Sequence, residues 1–177
     1  MNTRELNENS MAEIKQNQDN RRAFVDTLLE LMEKDPAVVM VTCDVGFNYL
    51  ERVKEKYPDR YFNFGVTEQS TTLIATALAL SGFKVYLYSM INFVLFRNYE
   101  MVRNGIVHHK ANVKLLGVKG SSSYKFLGFS HNMTHEREDA DACEALQLDC
   151  YLPRDIEEVK KVIINTYENE KAAYIRL

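Results

Sequence analysis

Cysteine is scarce and unpatterned in this sequence: Cys43, Cys143 and Cys150 form an odd set with neither a CxxC pair nor Cys/His ligand spacing. Neither a disulfide framework nor a zinc site is encoded, and all three read as structural thiols. Apolar runs long enough to span a bilayer are also missing. The longest, such as Leu73 to Leu80, fall far short of the roughly 20 residues a spanning helix needs. Met1 to Asn20 is polar and lacks an apolar signal core, so the expected protein is soluble and cytoplasmic, without a membrane partner. An excess of positive charge is absent too. The 22 Lys and Arg are interspersed among 25 Asp and Glu, for a net charge of -3, and no basic stripe is available to a nucleic acid.

What is present is enough apolar material for one core: 46% of the 177 residues are hydrophobic, and the length suits a single domain. Residues 1–20 are rich in Asn, Gln, Glu and Lys, a composition expected to give a polar flexible arm, with the domain proper over residues 21–177. Phe24, Val25, Leu28, Leu29 and Met32 recur at helical spacing until Lys34-Asp35-Pro36 ends the helix. Val38 to Cys43 is a largely β-branched run of the kind buried on both faces of a sheet. Helices are then predicted over Leu50 to Lys56, Ser70 to Leu80 (with Thr67 as N-cap), Leu95 to His109, Glu138 to Leu146 and Asp155 to Asn169. Strands are predicted over Arg60 to Phe64, Lys84 to Met90, Val113 to Val118, Asp149 to Leu152 and Ala172 to Leu177, and Gly120 to Gly128 reads as a loop. Alternating strands and helices, without an internal repeat, imply an α/β fold whose mainly parallel sheet carries helices on both faces. In such sheets ligands collect beyond the carboxyl ends of the strands, which here are Asp44, Glu68, Met90 to Phe96 and Lys119 to His131.

The segment Pro58-Asp59-Arg60-Tyr61-Phe62-Asn63-Phe64-Gly65-Val66-Thr67-Glu68-Gln69 resembles the transketolase-family pattern, in which a Pro-x-Arg turn leads through a strand to Gly-[Ile/Val]-x-Glu-[Gln/His]. Further matches follow in the family's order: Arg21-Arg22-Ala23-Phe24, Asp35-Pro36, Asp44, Gly82, Gly128-Phe129-Ser130-His131 in place of Gly-Pro-Thr-His, and Pro153-Arg154-Asp155 with Glu157. The resemblance covers about residues 21–177 and implies the pyrimidine-domain type of thiamine-diphosphate-binding fold. By the same resemblance, Glu68 hydrogen-bonds the N1′ nitrogen of the cofactor's aminopyrimidine and favours the imino tautomer that takes the thiazolium proton. That chemistry needs a carboxyl group in a dry site, where such a bond is strongest. A lone Glu at a helix start would otherwise be explained by the helix dipole alone.

The remaining site expectations also follow from the resemblance. Val66 belongs to the cofactor motif, and Asp44 lies near the cofactor, although Asp is also common in turns after strands. Phe93, Phe96 and Tyr99 reproduce a Phe-x-x-Phe-x-x-Tyr spacing against which the pyrimidine ring rests, since a flat π-system is held by stacking. A second register, aligned on Arg97 and Arg103, places Ile91 and Val94 at those positions. His131 matches a histidine that aids proton transfer and substrate recognition, and His135 competes with it for the role. Arg21 resembles a substrate-side arginine, whereas His108 and His109 read as structural.

Leu127 and Leu152 replace an Asp and an Arg that contact phosphorylated sugars in transketolases, so a donor or acceptor without a sugar phosphate is expected. The Gly-Asp-Gly…Asn signature that holds magnesium and diphosphate does not occur, and the chain itself offers no metal site. Together with the absence of sequence after Leu177 for a third domain, this implies one half of a split enzyme. A diphosphate-binding partner subunit would hold most of the diphosphate and Mg of thiamine diphosphate, and self-association through the apolar helices would give a heterotetramer. The expected reaction is transfer of a two-carbon ketol unit between sugars. The alternatives are a thiamine-dependent decarboxylase or acyloin-forming subunit, and a non-catalytic domain of the same fold, which would have no need of Glu68.

Overall fold

The computed structural model describes residues 3–120 and 122–177, so Met1 and Asn2 of the expected arm and Ser121 of the expected loop lie outside the described residues. Among the described residues six strands form one all-parallel sheet in the order β2-β1-β3-β4-β6-β5. They are β1 (Val38–Thr42), β2 (Tyr61–Asn63), β3 (Lys84–Met90), β4 (Val113–Val118), β5 (Asp149–Tyr151) and β6 (Ala173–Arg176). β1, β3 and β4 sit at the centre, and their runs are apolar because both faces are covered. The alternation of the pleat divides the core: Val38 and Met40 of β1 face one helical layer, Val39 and Val41 the other.

The first layer is built from α1 (Thr3–Lys34), α2 (Glu51–Lys56) and α6 (Ile156–Asn169), with Phe24, Leu28, Val53, Val159 and Ile163 inward. α1 is longer than its apolar pattern. Residues 3–20 of the expected arm continue it as helix, since they contain no Gly or Pro and include good helix formers such as Glu, Gln and Lys. That half touches the body through, among others, a Glu13–Lys119 ion pair at 2.9 Å and a hydrogen bond from Gln16 to the Arg154 carbonyl.

α3 (Glu68–Leu80), α5 (Glu138–Leu146) and a broken helical run make the second layer. The run predicted as one helix over Leu95 to His109 is a π-helical turn Asn92–Phe96, a single α-helical turn α4 (Tyr99–Met101) and a second π-helical stretch Val102–Val107. The wider i→i+5 turn rotates residues three apart off a common face, which helical spacing alone does not anticipate.

Two motifs act here as braces. Arg60 donates to the carbonyls of Met32 (2.8 Å) and Asp35 (3.0 Å), and its guanidinium carbon stands 4.3 Å above the Tyr57 ring. Asp35 accepts from the Ala37 amide (2.8 Å) and the Tyr167 hydroxyl (3.0 Å) and pairs with Lys84 at 3.2 Å. The Pro-x-Arg turn is thereby fastened to the α1–β1 connection, and β2 delivers Glu68 to the carboxyl edge of the sheet.

Candidate functional site

Glu68 opens α3 with 3% of its surface exposed. Thr67 occupies the N-cap position but makes no capping bond; its hydroxyl bonds the Phe64 carbonyl at 2.9 Å and lies 3.2 Å from the Thr71 hydroxyl. Asn63 fixes the approach, since its side-chain oxygen accepts from the amides of both Asp44 and Gly65 at 3.0 Å and so ties the ends of β1 and β2 together. The Glu68 carboxylate accepts an N–H from Arg97 at 2.6 Å. Close by is Cys43, whose thiol is pushed up to about 11 by burial and by the Glu68 charge, against a hydrogen bond from Thr71. This thiol stays neutral and is a poor nucleophile.

Arg97 links this corner to a neighbouring cleft, because its guanidinium carbon stands 4.1 Å over the Phe93 ring and Phe93 lines that cleft. The cleft encloses about 410 Å³ beyond the carboxyl ends of β1, β3 and β4, and Arg21, Asp44, Phe93 and His131 all line it. Tyr49 and Tyr88 complete the wall behind Arg21, whose guanidinium carbon lies 4.2 Å over the Tyr49 ring. Burial pushes the Tyr88 hydroxyl up, with Arg21 beside it pulling the other way.

His131 is positioned by the loop after β4. Its Nδ1 is 2.8 Å from the Ser130 hydroxyl, its ring meets Phe93 edge-on at 4.9 Å, and Tyr124 lies nearly parallel at 6.4 Å. Residues Ser122–Ser130 of that loop form 3-10 turns broken at Gly128, where φ is 63°. Gly120 must be glycine, because a Cβ there would run into the carbonyl oxygen of His131. Asn92 donates to the carbonyls of Phe129 (3.0 Å) and Asn132 (3.3 Å) and so holds the loop against the π turn that carries Phe93.

The structure brings some of the expected residues together and separates others. His135 lines a different depression, with Lys119, Lys125 and Glu136. Phe93 packs on the α1 side of the sheet, Phe96 packs on the α3 side, and Tyr99 is 36% exposed, so the three aromatics do not form one stripe. Ile91 and Val94, the alternative ring positions, are sealed in the core. Val66 is exposed beside Glu68, and Asp44 sits on the cleft rim in a left-handed conformation, φ 53°. His108 and His109 stack edge-on at 5.2 Å on an exposed helix end. Among the described residues no group of three or more His, Cys, Asp or Glu could hold a metal, and no helix is long and apolar enough to cross a membrane.

Sequence reasoning missed Arg97 as a partner of Glu68, having used it only as a register mark. It also missed Tyr49 and Tyr88. The available signal was position, because Tyr88 belongs to the carboxyl half of the predicted strand Lys84 to Met90 and Arg97 follows Phe93 by four residues.

The family model for the transketolase pyrimidine-binding domain matches residues 16–177. One subunit of the apulose-4-phosphate transketolase from Phocaeicola vulgatus is 30% identical over 158 residues, covering 89% of this chain and 50% of that protein. A putative transketolase C-terminal section from Methanocaldococcus jannaschii is 30% identical over 159 residues, covering 89% of this chain and 49% of its own length. Among solved structures, a split-gene transketolase described as an inactive beta4 tetramer superposes with a TM-score of 0.76 at 27% identity, over 89% of this chain and 50% of that one. The chain thus spans about half the length of these relatives.

Proposed function

The chain belongs to the transketolase pyrimidine-binding-domain family, and from that premise we propose that it is the pyrimidine-binding part of a split, thiamine-diphosphate-dependent enzyme that transfers a two-carbon ketol unit between sugars. The observation that carries this reading is Glu68, a carboxylate only 3% exposed in the family's motif, opening a helix at the carboxyl edge of the sheet. The helix dipole favours a carboxylate at a helix start without requiring its burial, and among the described residues the buried Glu68 carboxylate has a single hydrogen-bond partner, Arg97.

The residues present fit the aminopyrimidine half of the cofactor. Glu68 offers the carboxyl group that shares a proton with a ring nitrogen, and the Phe93 face beside it suits a flat heterocycle. When bound, thiamine diphosphate would supply the means to break and form a carbon–carbon bond beside a carbonyl, and this chain's part would be to hold and orient its aminopyrimidine through Glu68 and Phe93. His131 faces the cleft with a nitrogen near Ser130 and is the group that moves a proton to or from a substrate oxygen. Among the described residues Arg21 is the one arginine or lysine lining the cleft, so this chain offers one cation there to an anionic group of a substrate. His135, in its own depression, takes no part.

Magnesium and the diphosphate are held by a partner subunit in this reading. Self-association into a heterotetramer is supported by the apolar face that α3 and its surroundings leave open: Leu73 is 50% exposed, Leu80 59% and Phe83 36%. The test is calorimetry with thiamine diphosphate and magnesium. The isolated chain is expected to bind weakly or not at all and the mixture with a diphosphate-binding partner to bind tightly. Tight binding by the chain alone overturns the split-subunit reading.

A further inference from the structure

A buried carboxylate that awaits a cofactor presents a physical problem in the chain without it, because an ionised group withdrawn from water needs a countercharge. Arg97 supplies one. It donates an N–H to the Glu68 carboxylate at 2.6 Å while its planar guanidinium lies 4.1 Å over the Phe93 ring. An in-plane nitrogen on Glu68 and a flat face on Phe93 are the two contacts required of an aminopyrimidine ring at this corner. We propose that Arg97 is a resident stand-in for that ring, a latch that occupies Glu68 and Phe93 until the cofactor's aminopyrimidine displaces it. The inference rests on the reading given under Proposed function.

The geometry favours a side chain that can leave. Arg97 is 41% exposed, against 3% for Glu68, and one hydrogen bond joins the pair. Its backbone is fixed, since the Arg97 amide bonds the Asn92 carbonyl at 2.9 Å and the Arg97 carbonyl accepts from the Gln69 side chain at 3.1 Å. Opening therefore requires only side-chain rotation toward solvent, where a guanidinium is readily hydrated. A guanidinium and a ring nitrogen cannot fill the same place beside the carboxylate and over Phe93, so the arrival of one expels the other.

The probe is the isolated ring, 4-amino-5-hydroxymethyl-2-methylpyrimidine, titrated at millimolar concentration into the full chain and followed by NMR of the ring and of the arginine Nε–H groups. A latch closed about nine-tenths of the time weakens apparent binding about tenfold, so Arg97→Met is expected to bind the ring about tenfold tighter than wild type. Arg97→Lys, which keeps the charge but loses the planar contact with Phe93, is expected to fall between. In wild type, saturation with the ring should move the Arg97 Nε–H signal to a solvent-exposed position. Equal or weaker binding by Arg97→Met, or an Arg97 signal unmoved by bound ring, overturns the latch and leaves the cofactor reading standing. Failure of wild type and both variants to bind the ring overturns the cofactor reading and the latch together.

Discussion

Among the described residues two carboxylates are withdrawn from water and paired with an arginine, and they are held in very different ways. Asp139, at the start of α5, has no exposed surface. Its Oδ1 accepts from Arg176 at 2.5 Å and the Ala140 amide at 2.8 Å, and its Oδ2 accepts from the Tyr174 hydroxyl at 2.6 Å and Arg176 Nε at 2.9 Å. Arg176 is itself only 13% exposed and donates further to Glu136. The Glu68 carboxylate, among the described residues, has one hydrogen bond, from an arginine that is 41% exposed. Saturation from every side describes a joint that fastens α5 to β6. A buried carboxylate with one partner fits the site proposed above, where its remaining bonding capacity would serve a ligand.

The largest expected effect tests the first half of that contrast. Asp139→Ala leaves the Tyr174 hydroxyl buried without its acceptor and the Arg176 guanidinium with Glu136 alone, and breaking a buried pair from one side costs about 3–5 kcal/mol. Urea denaturation should show that loss as a lower midpoint at unchanged slope. A loss under about 1 kcal/mol would mean that the cluster is not a joint and that the contrast with Glu68 is empty.

The next effect tests the other half. Glu68→Gln is nearly isosteric, and Arg97 is exposed enough to be rehydrated, so folding stability should change by less than about 1 kcal/mol. Turnover of the enzyme reconstituted with its partner should fall by roughly a hundredfold or more, the size expected when a positioned proton-transfer group is lost. Exchange of the cofactor's thiazolium C2 proton for deuterium, compared at equal cofactor occupancy, isolates the step. Equal exchange rates in wild type and Glu68→Gln would reduce Glu68 to a helix-start carboxylate.

The sequence showed the position of one member of this contrast, Glu68, and nothing of the other. β3, β4 and α5 fall at their predicted bounds because each has a continuous pattern with clear breaks, such as Gly82 before β3. The place of Glu68 at the head of α3 was legible because its motif is local. The aromatic stripe was not, because the π turn Asn92–Phe96 departs from the α-helical period and Phe93 and Phe96 pack on opposite sides of the sheet. His131 follows the turn at Gly128 and packs its carbonyl against Gly120, and spacing does not encode either. The joint at Asp139 was also invisible: its partners Tyr174 and Arg176 lie 35 and 37 residues away, on a strand that pairs with β4 and β5.

Tyr174→Phe gives the smallest and most discriminating effect. The substitution removes one hydroxyl, and the Asp139 carboxylate keeps its bonds from Arg176 and the Ala140 amide, so no buried charge loses its countercharge. A hydrogen bond to a charged group contributes about 1.5–3 kcal/mol, and a carboxylate so well supplied should lose about the lower figure. The ring itself must stay, because it passes so close over Gly117 that a Cβ at that position would lie 2.5 Å from the Tyr174 oxygen and 2.6 Å from its ring. Phenylalanine keeps the ring that covers the glycine and loses only the bond. Measured by urea denaturation, a loss near about 1.5 kcal/mol, well below that of Asp139→Ala, is the graded response of a redundant joint. A loss as large as that of Asp139→Ala would show instead that Tyr174 and Asp139 act as one unit, with no redundancy to set against the single bond at Glu68.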